Sequence, residues 1–146
     1  MKSEPDCYSI DDLQRDKQGM WEGCRNYTVR NFMRDRMKPG DMAFFYHSSV
    51  QPAGIVGEME IITEGYPDPT QFDSNSDYFD AKSQQSNPRW MTVDVRFVRK
   101  YDCVISLSEL KGIPGLEALE VLRRGQRLSV MPVTDTEWEI ITRLVR

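Results

Sequence analysis

Histidine occurs once, at position 47, and cysteine three times, at 7, 24 and 103, without a CxxC pair. A single histidine removes His-rich metal sites and most proton shuttles, and leaves only a triad built on His47, for which no GxSxG elbow is present. An odd, widely spaced cysteine set supports neither a disulfide framework nor a zinc knuckle; it fits a reducing compartment, so a cytoplasmic protein is expected. No apolar run approaches the roughly 20 residues of a membrane span, and the N-terminus lacks the apolar stretch of a signal peptide. GxGxxG, Walker, HExxH and EF-hand patterns are missing as well, so neither cofactor nor metal is expected.

What is present fits one globular domain spanning residues 1–146, with 39% hydrophobic and 29% charged residues. A monomer is expected. The net charge of -4 argues against coating a nucleic acid through bulk charge. The charge is unevenly placed. Residues 14–40 carry seven Lys/Arg against three Asp/Glu, residues 88–131 eight against five, and residues 55–87 one against seven. Such segregation permits a basic face opposite an acidic one, with a solvated mixed surface as the plainer alternative.

Local patterns give a mixed α/β chain. Ser9-Ile10-Asp11-Asp12 reads as a capping box opening a helix from Ile10 to about Asp16, with a break at Lys17-Gln18-Gly19. Asn26 is placed to cap a helix over Tyr27–Met37 whose apolar stripe is Val29, Phe32 and Met33. Strands are expected at Met42–His47 and Ile55–Thr63, joined by a hairpin-like loop at Gln51-Pro52-Ala53-Gly54. Tyr66–Pro88 reads as a long surface loop. Trp90–Tyr101 alternates as the best strand, Ser106 opens a short helix ending near Gly112, and Leu116–Arg123 predicts another, closed by Gly125. Arg127–Val133 reads as a last strand, and Thr134 caps a terminal helix carrying Trp138, Ile141 and Leu144/Val145. Strands joined mostly by turns favour a small curved sheet or barrel with peripheral helices over a doubly wound parallel sheet.

Several side chains suit one flat polar molecule such as a nucleobase. Trp21 and Tyr46 offer aromatic faces, and Ser3, Asn26, His47 and Ser48 offer edge donors and acceptors. Arg25 and Arg30, near the start of the second helix, are placed to hold a flanking phosphate. Arg124 and Arg127 form a basic loop suited to a nucleic-acid backbone. Each has a plainer reading: a core Trp or Tyr, an N-capping Asn26, a histidine satisfying a strand end. Trp90 and Trp138 sit in amphipathic patterns that assign them to packing.

An ordered set of motifs runs the whole length: Lys2-Ser3-Glu4-Pro5, Trp21-Glu22-Gly23, Arg25-Asn26-Tyr27, Arg30-Asn31-Phe32-Met33, Phe44-Phe45-Tyr46-His47-Ser48, Gly54-Ile55-Val56-Gly57, Tyr66-Pro67-Asp68-Pro69, Pro88-Arg89-Trp90, Val93-Asp94-Val95 and Arg127-Leu128-Ser129-Val130. In these the chain resembles the EVE domain family, bacterial relatives of the thymocyte nuclear protein, within the PUA-like superfamily that also holds the YTH and ASCH domains. The resemblance implies an α+β fold, a PUA-like β-pseudobarrel with peripheral helices, and nucleic-acid binding. YTH relatives read methylated adenine in RNA, and some EVE domains read modified cytosine in DNA. It also implies a pocket lined by Ser3, Trp21, Asn26, Tyr46, His47 and Ser48. Two departures from the family stand out. Members carry a short aromatic and apolar strand before the Lys-Ser-Glu-Pro element, whereas Met1 precedes Lys2 directly, so a late start or a shortened first strand is expected. Cys24 stands in a small apolar place between Gly23 and Arg25, where it is expected to pack as a small hydrophobe with no functional change.

The expected function is a non-enzymatic domain that reads a modified cytosine or adenine in an aromatic pocket. DNA and RNA both stay open as partner, since no motif encodes a 2′-hydroxyl contact. The alternative is a nucleoside-processing enzyme with His47 as general base and Asp94 or Glu58 as its partner. A scaffold with a vestigial pocket is a third reading, which no exposed apolar stripe supports.

Overall fold

The computed structural model describes residues 1–145 and opens with a two-residue strand, β1 (Lys2–Ser3). The Ser9 hydroxyl accepts from the Asp12 amide while the Asp12 carboxylate accepts from the Ser9 amide, and this reciprocal cap starts α1 (Ile10–Asp16). Lys17, with φ of 70°, turns the chain into β2 (Gln18–Met20), a short strand where only a break was expected. Asn26 Oδ1 accepts from the amides of Thr28 (2.8 Å) and Val29 (3.2 Å) and so starts α2 (Tyr27–Asp35). That helix stops short of Met37 because the Arg36 and Met37 amides both return to the Phe32 carbonyl.

Strands β3 (Met42–His47) and β4 (Gly54–Ile61) pair antiparallel, close to their expected bounds. The long loop is more ordered than its composition indicates. It begins with β5 (Tyr66–Pro67), turns through a short 3-10 helix at Pro69–Phe72, and ends with β6 (Met91–Thr92), which pairs with β5. Gln71, fully buried, organises it: Nε2 donates to the carbonyls of Asp68 (2.7 Å) and Trp90 (2.8 Å), and Oε1 accepts from Ser83 Oγ (2.6 Å) and Trp90 N (3.1 Å).

The strand expected over Trp90–Tyr101 divides at Val93, whose carbonyl is taken by the Trp21 amide, and resumes as the 13-residue β7 (Asp94–Ser106). Helix α3 (Leu107–Lys111) follows with Ser106 as its cap. Two expectations fail beyond it. Leu116–Arg123 is a run of turns with a short 3-10 helix at Glu120–Leu122, because the Leu119, Leu122 and Arg123 amides return to carbonyls three residues back and an extended Leu119 interrupts any α-helix. Arg127–Val133 is irregular, making one sheet-like bond in which Lys2 N donates to Ser129 O at 2.7 Å. The chain closes with α4 (Asp135–Arg143), started by the Thr134/Glu137 capping box.

The main sheet runs β1-β3-β4-β7-β2, with β1 parallel to β3 and the other pairs antiparallel. The fold is therefore mixed α/β, a curled half-barrel sheet with four α-helices among the described residues. Each face of the sheet carries a hydrophobic core. Trp21, Val29, Met33, Phe45, Met59 and Val95 belong to one, where α1 and α2 pack. Phe44, Tyr46, Ile55, Tyr101, Ile105 and Ile141 belong to the other, where α3 and α4 pack. Strand β7 serves both. Its register slips where Met59 faces Phe97 but Glu58 faces Arg99, leaving Val98 exposed between the Val95 half and the Tyr101 half.

Candidate functional site

A cleft of about 810 Å³ opens beside the first core, between β1, β2, the β2–α2 segment and the tip of the long loop. Its chemistry comes from Ser3, Trp21, Glu22, Asn26, Tyr78 and Arg127. Trp21 is fixed from three sides. Its amide donates to Val93 O (2.9 Å), its carbonyl accepts from Thr92 Oγ1 (2.7 Å), and its ring meets Phe45 edge-on at 5.3 Å. It is only 7% exposed, so it presents a small part of its ring to the cleft.

Tyr78 supplies the larger free aromatic surface, with 42% of the residue exposed. Its ring lies directly over Gly23, where a Cβ would come within 2.6 Å of it, and Gly23 also holds a φ of +86° that favours glycine. Arg25 anchors this arrangement. Nη1 donates to Asp68 Oδ2 (3.1 Å) and Cys24 O (3.2 Å), Nη2 to Thr70 Oγ1 (3.1 Å) and Tyr78 O (2.8 Å), and Nε to Tyr78 O (3.2 Å). All five N–H groups are engaged, and the guanidinium lies 5.6 Å from both the Tyr78 and Trp90 rings. Arg25 lines the cleft, but its role there is to tie the long loop to the cleft wall.

Asp68 is the other half of that tie. Burial is the largest influence on its carboxyl and opposes ionisation, yet hydrogen bonds from Gly23 N, Thr70 and Arg25 together outweigh it and hold the pKa below the usual range. Glu22 behaves oppositely: partial burial, then the neighbouring Asp68 charge, raise its carboxyl, with Arg25 opposing. Burial likewise pushes the Cys24 thiol up, away from the reactive thiolate. Tyr8 is pushed up to about 12 by burial and by donating to Asp16 Oδ2 at 2.9 Å. The rim holds Lys2, Arg25 and Arg127 against Glu4, Asp16 and Glu22.

The expected residues therefore divide. Ser3, Trp21, Arg25, Asn26 and Arg127 do line the cleft. Ser3 Oγ already donates to Tyr8 O at 2.6 Å, and Asn26 spends Oδ1 on its helix while Nδ2 makes no hydrogen bond among the described residues. Tyr46 is not in the cleft: Phe45 meets Trp21, successive strand residues point to opposite faces, and Tyr46 is buried in the second core. His47 is not there either. Its Nε2 accepts the Ile10 amide at 3.1 Å, capping α1 from outside, and burial lowers its pKa. Ser48 gives its amide to Ser3 O at 3.0 Å and lies outside the lining. Arg30 and Arg124 also lie outside it.

The pairing of His47 with Asp94 or Glu58 does not form. Asp94 accepts the Tyr66 hydroxyl at 2.5 Å and Glu58 the Tyr101 hydroxyl at 2.6 Å. The sequence reading missed Tyr78 and Glu22. Tyr78 sits in an aperiodic segment, and the available signal was Gly23, a glycine beside an aromatic and an acid that marks a close approach. Among the described residues no group of three or more His, Cys, Asp or Glu is arranged to hold a metal, and no helix is long and apolar enough to cross a membrane.

Relatives of known structure share this architecture. A crystal structure of a protein from Pseudomonas syringae is 47% identical, covers 99% of this chain and 96% of its own, and superposes with a TM-score of 0.95. Human thymocyte nuclear protein 1 is 41% identical over 162 residues, which span 99% of this chain and 72% of that protein. Human THYN1 protein has been crystallised in complex with 5-methylcytosine-containing DNA; that chain is 42% identical, with a TM-score of 0.90 over 99% of this chain and 94% of that one. The EVE domain model matches residues 1–144, and with these relatives it places the chain in the EVE domain family, on the PUA-like fold.

Proposed function

We propose that this chain is a non-enzymatic DNA-binding domain that takes a modified cytosine, extruded from its strand, into the cleft beside Trp21. The observation that carries this reading is the complex of human THYN1 with 5-methylcytosine-containing DNA, in a chain 42% identical to this one. The cleft supplies what such a base needs. Its volume of about 810 Å³ is ample for one nucleotide. Tyr78 offers a stacking face, the free Nδ2 of Asn26 a donor, and the Glu22 carboxylate an acceptor for the exocyclic amine of cytosine. A methyl group contributes only about 0.8 kcal/mol when buried, so discrimination rests on the shape of the cleft. The non-enzymatic part of the reading is supported by the lone histidine, whose Nε2 is committed to Ile10.

The test is a fluorescence titration with matched DNA and RNA oligonucleotides carrying cytosine, 5-methylcytosine, adenine or N6-methyladenine. DNA with 5-methylcytosine should bind most tightly, and Tyr78→Ala should weaken it by roughly tenfold or more, the worth of one base–aromatic stack. Arg99→Ala, on β7 and outside the cleft lining, is the control. Trp21→Ala is a poor probe, because removing a 7% exposed core tryptophan lowers stability as well. Equal affinity for all oligonucleotides, or indifference to Tyr78→Ala, removes the reading. Chromatography of the recovered oligonucleotide should show it unchanged; a product whose formation needs His47 would instead establish an enzyme.

A further inference from the structure

Beyond the cleft, the wall that carries Arg25 continues as a ladder of alternating rings and guanidinium groups. Arg25 lies against both Tyr78 and Trp90, Trp90 packs on Tyr27 with centroids 4.8 Å apart, and Arg30 lies over the Tyr27 ring at 4.6 Å. The two arginines differ in two respects, their charge partners and their free donors. Arg25 is neutralised by buried Asp68 and uses all five of its N–H groups. Arg30 has no carboxylate within ion-pair distance among the described residues. Its Nε and Nη2 donate to Asn31 Oδ1 (3.0 and 2.8 Å) and its Nη1 to Arg89 O (3.3 Å). One N–H is left on each terminal nitrogen.

We propose that Arg30 binds a backbone phosphate of the nucleic-acid strand that leaves the cleft. A guanidinium held in plane by two neutral oxygens and one aromatic face keeps its full charge and has already lost its rotamer freedom. Two donors on adjacent nitrogens match two phosphate oxygens, and an arginine so fixed loses little further entropy on binding. The exposed Tyr27 ring beneath it, 51% accessible, keeps the site open to solvent. The site reads no base; it positions the strand while the cleft reads the sequence. The route of the strand from the cleft to Arg30 rests on the cleft being the base pocket, since that fixes where the strand emerges; the paired donors of Arg30 do not.

The test compares wild type, Arg30→Gln, Arg30→Lys and the control Arg99→Gln for binding two ligands across a salt series. One ligand is a short DNA carrying 5-methylcytosine, and the other is the free nucleoside 5-methyl-2′-deoxycytidine. Arg30→Gln should weaken the oligonucleotide roughly tenfold and reduce the salt slope by about 0.7 to 0.9, the contribution of one phosphate, while nucleoside affinity is unchanged. Arg30→Lys keeps the charge without the paired donors and should recover only part of the loss; it also shows that the folded domain tolerates a change here. Arg99→Gln removes the same charge from β7 and should have a smaller effect. If Arg30→Gln and Arg99→Gln weaken the oligonucleotide equally, the phosphate contact is overturned even where the nucleoside binds. If the nucleoside fails to bind but the oligonucleotide still depends on Arg30, the base pocket falls and the phosphate contact stands. An oligonucleotide that wild type does not bind removes both.

Discussion

Asp68 is wholly buried and yet favours its charged form, because it accepts hydrogen bonds from Gly23, Thr70 and Arg25 at once. Removing such a partner strands the opposite charge, so Asp68→Ala should lower unfolding stability by roughly 3 kcal/mol or more, measured by denaturant titration. With a folded pKa below the unfolded one, its contribution is present above the unfolded value and is lost as pH falls through the depressed folded value. His47 has the opposite protonation chemistry but the same acid sensitivity. Burial lowers its folded pKa below the unfolded value near 6.5, so the neutral ring that accepts from Ile10 stabilises the fold fully above that value. Stability should fall from about pH 6.5 downward until the folded histidine is also protonated, and His47→Asn should remove that part of the pH profile. Gly23→Ala would force φ of +86° on a residue with a Cβ and drive that carbon to 2.6 Å from the Tyr78 ring. It should displace Tyr78 and lose base affinity while costing only about 1–2 kcal/mol of stability.

Elements with their own chemical punctuation were legible in the sequence. Ser9, Asn26 and Thr134 each begin a helix where their caps indicated, and β3 and β4 lie close to their alternating runs. The elements missed are those defined by partners distant in the chain: β2 exists because β7 pairs with it, and β5 because β6 does. The same limit applied to the cleft. The alternation in Phe44-Phe45-Tyr46 shows that neighbours point opposite ways, but which of them faces Trp21 depends on the packing of the other elements. Tyr78 carries no periodic signal, and its position follows from bonds to Arg25 more than 50 residues earlier. Pairing across β4 and β7 requires close backbone approach: a Cβ on Gly57 would lie 2.3 Å from the Arg99 carbonyl. Gly57→Ala should therefore cost roughly 1–3 kcal/mol in a denaturant titration, whereas Gly40→Ala meets no atom within 4 Å and reports only its positive φ.

The molecule as a whole is two hydrophobic layers separated by one sheet, and β7 contributes Val95 to one layer and Tyr101 and Ile105 to the other. Neither layer can lose its packing without releasing that strand, so the layers should unfold together. Each holds a tryptophan reporter: Trp21 against Phe45 on the first side, and Trp138 stacked on Phe44 at 4.0 Å on the second. Variants in which one of these two is the sole tryptophan, with Trp90 and the other replaced by Phe, should show the same denaturant midpoint after correction for the substitutions themselves; separate midpoints would reveal independent halves. Trp138 lies outside the cleft lining. Because a ligand stabilises whatever unfolds together with its site, a base held beside Trp21 should raise the melting temperature read at Trp138. The far side of the sheet thus becomes a gauge of occupancy for a pocket it never touches.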